Sequence, residues 1–347
     1  MFGKEPVKTP QHVAFLLLPN FSMMAFASSV EPLRAANRQS GRELYTWSTY
    51  SVDGEQVIAS NGVITVPYGS IHDAISPDVL FVCAGVRAHQ FRDEKTLARL
   101  HDMGRGGMAI GGICSGSLAL AQAGLLKGYR CTIHWEYVEP FVEKFPQLDV
   151  TATLFEIDRD RYTCSGGTAP LDMMINSIAR DHGEDLAVSV AEQMLHTFIR
   201  HPHDAQRMPM QHRTGISHPK LLGAIAHMEA YLEHPLSLRE LAESVDLSNR
   251  QLERLFREHF HKTPSRYYLE LRLRRARLLL RQTEMPVLQI AVASGFSSAS
   301  HFARCYREFF HHSPRDERAS VERIPGAGKN VETPVVESNA MGEADTG

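Results

Sequence analysis

The chain has 347 residues, is 43% hydrophobic and 22% charged, and carries a formal net charge of −3. These values describe a folded globular protein long enough for two cores, and they exclude a disordered or fibrous chain. The longest apolar runs, such as Val13 to Leu18 and Val79 to Ala84, are strand-sized, so no membrane-spanning helix is expected.

The opening "MFGKEPVKTPQ" (1–11) is polar and lacks a signal-peptide core, which predicts a flexible N-terminus and a cytoplasmic protein. "HVAFLLLP" (12–19) reads as a strand covered on both faces, and "SMMAFASSVEPLRAANRQ" (22–39) as a helix. "DVLFVCAG" (78–85) is a second buried strand, followed by a helix over 94–104. "GMAIGGIC" (107–114) is a third strand, and "SGSLALAQAGLL" a helix with a glycine after it. "RCTIH" is a short strand, and "WEYVEPFVEKF" a helix stopped by Pro146. Residues 151–167 read as a hairpin around Asp158 to Asp160, and Thr168 as the cap of the next helix. An amphipathic helix over 184–200 closes the domain. Alternation of this kind predicts an α/β domain over 12–200 with a doubly wound, mostly parallel sheet of flavodoxin-like type.

"HPHDAQRMPMQHRTGIS" (201–217) has no apolar period and reads as an interdomain linker. From 218 to 318 every segment is helical, and the Gly/Pro/Glu-rich stretch 319–347 reads as a disordered tail. Charge is divided unevenly. Residues 218–318 hold 16 Lys+Arg against 12 Asp+Glu, a net of +4, so the rest carries −7. A basic C-terminal region beside an acidic remainder suits a nucleic-acid partner at one end.

The helical region contains a repeat. "SLRELAESVDLSNRQLERLFREHF" (237–260) and "PVLQIAVASGFSSASHFARCYREFF" (286–310) each read helix, turn, helix. Ala242 and Ala291 are small where the two helices cross, and Ser248 and Ser298 are the natural N-caps of the second helices. In the first copy Leu252, Leu255 and Phe256 face inward, while Asn249, Arg250, Glu253, Arg254 and Arg257 face outward. In the second, Phe302, Tyr306 and Phe309 face inward, and Ser300, His301, Arg304 and Arg307 outward. An exposed helix rich in arginine and small polar residues suits a major groove of double-stranded DNA. A helix over 264–283 joins the copies. Its arginines 272, 274, 275, 277 and 281 form a basic stripe, with Arg274 a candidate phosphate contact.

Segment 218–318 resembles the DNA-binding domain of the AraC/XylS family of transcription regulators, on the cores "LAESVDLSNRQLERLF" and "ASGFSSASHFARCYREF…SP". By position the resemblance implies base contacts from Arg250, Glu253 and Arg254, and from Ala299, Ser300, His301 and Arg304. Two departures lie at its C-terminal edge: His311 replaces the family's usual glycine, and Glu317-Arg318 its usual Tyr-Arg.

Gly112-Ile113-Cys114-Ser115-Gly116 has the spacing of a nucleophile elbow, a sharp strand-to-helix turn. With "AIGGICSGSLALAQAGLLKGYRCTIHWE" around it, the N-terminal domain resembles the DJ-1/PfpI group of the class I glutamine amidotransferase-like superfamily. Stretches such as "LLPNFSMMAFASSVEPLRAAN" and "GGTAPLDMMI" are similar to the branch of such fused regulators that controls glycine-betaine and carnitine catabolism. The resemblance implies a ligand-responsive regulator, more often an activator, working with RNA polymerase and dimerising through the N-terminal domain.

A cysteine hydrolase needs a thiolate, a base and a group that orients the base. His134 is a candidate base. The acid that related enzymes carry after the first strand is absent from 19–30, where the matching position is Ala25, and Ser115 stands where many hydrolases have histidine. Binding without turnover is therefore expected, with no catalytic residue. The alternatives are a DJ-1-like hydrolase or amidotransferase fused to a DNA reader, or a thiol redox sensor through Cys114. For binding, the backbone of Ser115 and Gly116 and the loop at Gly85 are candidate carboxylate donors. Trp135, Tyr137 and Phe21 are candidate faces for a quaternary ammonium, beside Cys114 and His134. The five cysteines, Cys83, Cys114, Cys131, Cys164 and Cys305, are odd in number and lack a CxxC. No disulfide framework, metal site or cofactor is implied.

Overall fold

The computed structural model describes residues 9–74 and 77–323. The strands are β1 Gln11–Leu17, β2 Tyr45–Ser51, β3 Val57–Ile58, β4 Ile64–Thr65, β5 Gly69–Ser70, β6 Val79–Cys83, β7 Ala109–Ile113, β8 Arg130–Thr132, β9 Asp149–Thr151, β10 Phe155–Asp158 and β11 Arg161–Cys164. The helices of the first domain are α1 Met23–Ser40, α2 Glu94–Arg105, α3 Ser117–Gln122, α4 Val138–Lys144, α5 Ala169–His182 and α6 Glu184–Gln193.

The main sheet runs β10-β11-β7-β6-β1-β2-β5, parallel except for the β10–β11 hairpin. The apolar runs at β1 and β6 are continuous because both faces are covered. Val13, Phe15 and Leu17 pack toward α1, α5 and α6, while Ala14, Leu16 and Leu18 pack toward α2, α3 and α4. Strand order reverses between β1 and β6, so their carboxyl ends form the crevice where ligands bind in such sheets. The elbow at the end of β7 opens beside that crevice.

Several expectations are corrected. "RCTIH" yields β8, which pairs with β9 in a separate two-stranded sheet, so the hairpin is confined to β10–β11 around Arg159-Asp160. Thr168 makes no capping bond with its side chain, because its hydroxyl is taken by Arg200 at 2.7 Å. The helix expected to reach residue 200 ends at Gln193. Beyond it, fully buried Asp172 accepts from the His196 ring at 2.8 Å and from the Arg200 guanidinium at 2.6 Å. That pull on a buried carboxylate outweighs helical continuation.

The linker 201–217 is not loose. It carries α7 Met210–Thr214, and Gln206 donates to Thr132, Ile133 and Thr153 on the first domain at 2.8–3.0 Å. Gln11 already opens β1, and the last helix continues past 318 to Arg323. The rest of the expected flexible N-terminus and tail, 1–8 and 324–347, lies outside the described residues.

The second domain comprises α8 Pro219–Ala230, α9 Leu238–Glu243, α10 Asn249–Phe260, α11 Pro264–Gln282, α12 Val287–Ala293, α13 Ala299–Phe310 and α14 Pro314–Arg323. Each repeat copy has its own core. Leu252, Leu255 and Phe256 pack with α8, and Phe302 and Tyr306 pack with Leu273, Ala276, Leu279 and Leu280 of α11. Phe309, expected inside, is only half-buried, and Cys305 is buried in that core instead. α10 begins in a capping box of Ser248 and Gln251, and Ser298 accepts from His301 N–H at the start of α13. Both second helices end in a left-handed residue, His261 at φ 55° and His311 at φ 63°, which is the conformation glycine favours.

The arginine stripe on α11 is largely occupied. Arg272 stacks on Phe296 at 4.2 Å and donates to the Ser294 carbonyl at 2.9 Å. Arg277 and Arg281 both bind Glu317, which is 1% exposed and also receives the Tyr306 hydroxyl and the His312 ring. Burial raises the Glu317 carboxyl, but hydrogen bonds from His312, Arg281 and Tyr306 prevail and hold it at about 2, below the usual 4.5. Its folded value is depressed, so the stabilisation is full above 4.5 and is lost as pH falls from there toward 2. Glu317→Gln should cost roughly 1–3 kcal/mol and flatten the acid limb. Thermal unfolding of both proteins across that pH range checks it. Parallel losses on acidification would refute the assignment.

Candidate functional site

The sensor end is built on the elbow. Cys114 sits in the left-handed region at φ 61°, and α3 follows at once. Gly116 makes the turn possible, because a Cβ there would lie 1.9 Å from the Val82 carbonyl oxygen. At Gly166 a Cβ would meet His134 Cδ2 at 2.7 Å and Cys114 Sγ at 2.9 Å, so the missing side chain is the space that thiol and ring share. His134 Nδ1 accepts from Glu136 N–H at 3.4 Å and lies 4.0 Å from the Glu136 carboxylate.

Protonation states follow from burial. Burial pushes the Cys114 thiol up to about 12, against a smaller lowering by hydrogen bonds from Ser115. Burial also lowers His134, favouring the neutral ring. Glu136 is raised by burial, opposed by Arg281 and a hydrogen bond from Gln282. Cys, His and Glu are thus assembled without an ionised thiol.

The expected carboxylate cradle is not open. Gly116 N–H is bonded to the Ile113 carbonyl at 3.0 Å, and α3 is only six residues long. In the Gly85 loop the Gly85 carbonyl accepts from the Ser115 hydroxyl at 2.6 Å and the Tyr137 hydroxyl at 3.3 Å, and the Arg87 backbone hydrogen-bonds to Tyr137. Nor do the aromatic faces converge as expected. Phe21 and Tyr137 are core residues, at 0% and 5% exposed. Trp135 is 37% exposed and already carries a cation: the Arg207 guanidinium lies 4.9 Å from its ring centroid.

At the other end, Asn249, Arg250, Arg254 and Arg257 are exposed on α10, and Glu253 is half-buried. Ala299, Ser300, His301, Arg304 and Arg307 are all exposed on α13. The two helices therefore present the side-chain sets expected to face a groove. Arg274 lies elsewhere: it is 60% exposed, 3.8 Å from Glu270, and lines a cavity between the domains.

The two domains meet beside the sensor end. Gln282, at the end of α11, donates to Glu136 at 3.3 Å, and Arg275 pairs with Glu139 at 2.9 Å. Arg92 pairs with Glu284 at 2.9 Å.

Comparison with known proteins matches both halves. A helix-turn-helix domain model matches residues 241–320, and the DJ-1/PfpI family model matches residues 11–180. The HTH-type transcriptional regulator GbdR of Pseudomonas aeruginosa is 48% identical over 311 residues, covering 90% of this chain and 85% of that protein. The HTH-type transcriptional regulator CdhR of the same organism is 46% identical over 329 residues, covering 93% and 98%. The crystal structure of an AraC family transcriptional regulator from Pseudomonas putida superposes with a TM-score of 0.50 at 32% identity, over 53% of this chain and all of that one.

The chain belongs to the AraC-type transcriptional regulators that carry a DJ-1/PfpI domain. It is a DNA-binding regulator of transcription. Among its described residues no helix is long and apolar enough to cross a membrane. Sequence reading of this regulator missed Glu136, although its spacing from His134 is a visible signal. It also missed Gly166, Arg207 and Gln282, which only the fold brings to the site. The buried thiol yields a direct test. In the folded regulator at pH 8, iodoacetamide should label Cys114 on the order of a hundredfold or more slowly than in denaturant. Fast labelling, read by mass spectrometry of the Cys114 peptide, would contradict the protonated state described above.

Proposed function

We propose that this regulator is a metabolite-responsive activator that binds its effector without turning it over. The effector class is a small quaternary amine such as glycine betaine or carnitine, held at the elbow end of the DJ-1/PfpI domain near Cys114, His134 and Trp135. It acts in the cytoplasm as a homodimer through the N-terminal domain, on double-stranded promoter DNA and with RNA polymerase. The observation that carries the non-catalytic reading is the buried, protonated Cys114, with Ala25 where related enzymes place an acid. The Cys114–His134–Glu136 grouping favours one second reading, a cysteine hydrolase or amidotransferase. Release of ammonia or acid from candidate amides by the purified protein would establish it.

A thermal-shift screen against glycine betaine, carnitine, dimethylglycine, choline and basic amino acids tests the effector class. A ligand that binds only the folded state raises apparent stability by mass action. Glycine betaine or carnitine is expected to raise the transition, and a response confined to basic amino acids would overturn the quaternary-amine reading.

Base contacts are assigned to Arg250, Glu253, Arg254, Ala299, Ser300, His301 and Arg304, with Asn249, Arg257 and Arg307 flanking. Arg254→Ala and Arg304→Ala should each cost about 1–3 kcal/mol at the cognate site and relax its base preference. Arg274 reaches a phosphate once the interdomain cavity opens, so Arg274→Ala should weaken all sequences alike and lower the salt slope by about one. Quantitative footprinting at several salt concentrations separates the two classes. Unaltered cognate binding by Arg304→Ala would remove α13 from the groove.

A further inference from the structure

Between the domains lies a cavity of about 500 Å³, walled by the Trp135 turn, the linker and the helices α8 and α11. Its charges are not equally secured. Arg213 makes a two-pronged pair with Glu229 at 3.1 and 3.2 Å, and Arg275 meets Glu139 at 2.9 Å. Arg207 is held weakly: its nearest carboxylate, Glu229, is 3.8 Å away and already engaged by Arg213. Its other support is the face of Trp135. Both side chains are partly exposed, at 43% and 37%. Three carboxylates, Glu136, Glu139 and Glu229, line the cavity with Arg207, Arg213, Arg274 and Arg275, so with Arg207 displaced the cavity's formal charges balance and the face of Trp135 is the feature left to attract a cation.

We propose that this interdomain cavity is an organic-cation site in which Arg207 is the chain's own occupant, a built-in competitor that a ligand cation displaces from Trp135. The proposal rests on the effector reading above and moves the ammonium-binding half of that site from the elbow to the domain junction. A tetraalkylammonium or guanidinium group suits the ring face, because its diffuse charge is cheaply stripped of water and attracted to the π-system. A compact, strongly hydrated cation such as sodium does not. Displacement has a mechanical consequence. Gln206, next to Arg207, is pinned to the first domain by hydrogen bonds at Thr132, Ile133 and Thr153. Six residues on, Arg213 is tied to α8 of the second domain. Arg207 is the clasp between these anchors, so releasing it lengthens the free span of the linker.

The chain has two tryptophans, so full-length protein carrying Trp47→Phe leaves Trp135 as sole reporter. Titration with tetramethylammonium chloride should change its emission saturably, while sodium chloride at equal ionic strength should not. Removing the competitor with Arg207→Gln should tighten tetramethylammonium binding roughly two- to fivefold. A merely structural arginine would weaken it or leave it unchanged, and either result overturns the proposal. Trp135→Leu, followed by thermal shift, should abolish binding. Saturating tetramethylammonium should also speed tryptic cleavage after Arg213, and unchanged cleavage would refute the clasp. If glycine betaine raises the thermal transition while Arg207→Gln leaves tetramethylammonium affinity unaltered, the competitor falls and the effector reading stands. If tetramethylammonium behaves as expected and glycine betaine does not bind, the cation site stands and the betaine assignment falls. Absence of any saturable response to tetramethylammonium removes the site.

Discussion

The constraint on which the sensor domain depends is the backbone-to-backbone approach of α3 to β6 and β7. Gly116 leaves no room for a side chain against Val82, and the helix start therefore sits on the sheet itself. From that contact a chain of fixed positions follows. Ser117 donates to the Thr132 carbonyl at 2.8 Å, and His134 N–H to the Cys114 carbonyl at 3.3 Å. β8 is thereby held so that it delivers His134, Trp135 and Glu136 to the domain edge. Gln206 then pins the linker to the same strand. In enzymes such an elbow positions a nucleophile; here it places the surface on which the DNA-binding domain rests.

Both domains use a buried carboxylate to gather several hydrogen-bond donors. Asp172 collects His196 and Arg200, and Glu317 collects Arg277, Arg281, His312 and Tyr306. A lone buried carboxylate would be costly; one satisfied by several donors fixes geometry instead. This accounts for the Glu317-Arg318 departure from the family pattern. The acid draws α14 onto α11 and α13, and it withdraws Arg277 and Arg281 from any role at phosphate.

What was legible in the sequence was whatever depends on local pattern. Continuous apolarity gave away β1, β6 and β7, and a repeated cap-and-core spacing gave away α9–α10 and α12–α13. β2 was not legible that way: Thr46, Ser48, Thr49 and Ser51 make "YTWSTYS" look polar, yet it pairs with β1 while His12 bridges Thr46 and Ser48. The elbow was legible as a turn but not as a site. Of its expected donors, Gly116 N–H is bonded to the Ile113 carbonyl and the Ser115 backbone hydrogen-bonds to the Cys114 thiol, and that accounting exists only in three dimensions. Arg207 on Trp135 joins residues 72 positions apart through a linker that lacks any period, so no window of sequence contains it.

The junction between the domains is built from small polar contacts. Arg92–Glu284 is exposed on both sides, Arg275–Glu139 on one, and Glu136–Gln282 is a single hydrogen bond at 3.3 Å. Exposed pairs of this kind contribute about 0–1 kcal/mol each, and a partly exposed hydrogen bond about 1. Among the described residues, these polar contacts join the domains, and none of the buried apolar clusters spans both. A ligand shifts such an equilibrium only by its differential affinity for the two arrangements. At about 1.4 kcal/mol per factor of ten, loss of a few such contacts would change a population by one or two orders of magnitude. Arg274, 60% exposed on the wall of the interdomain cavity and 3.8 Å from Glu270, sits at this junction and not on either recognition helix.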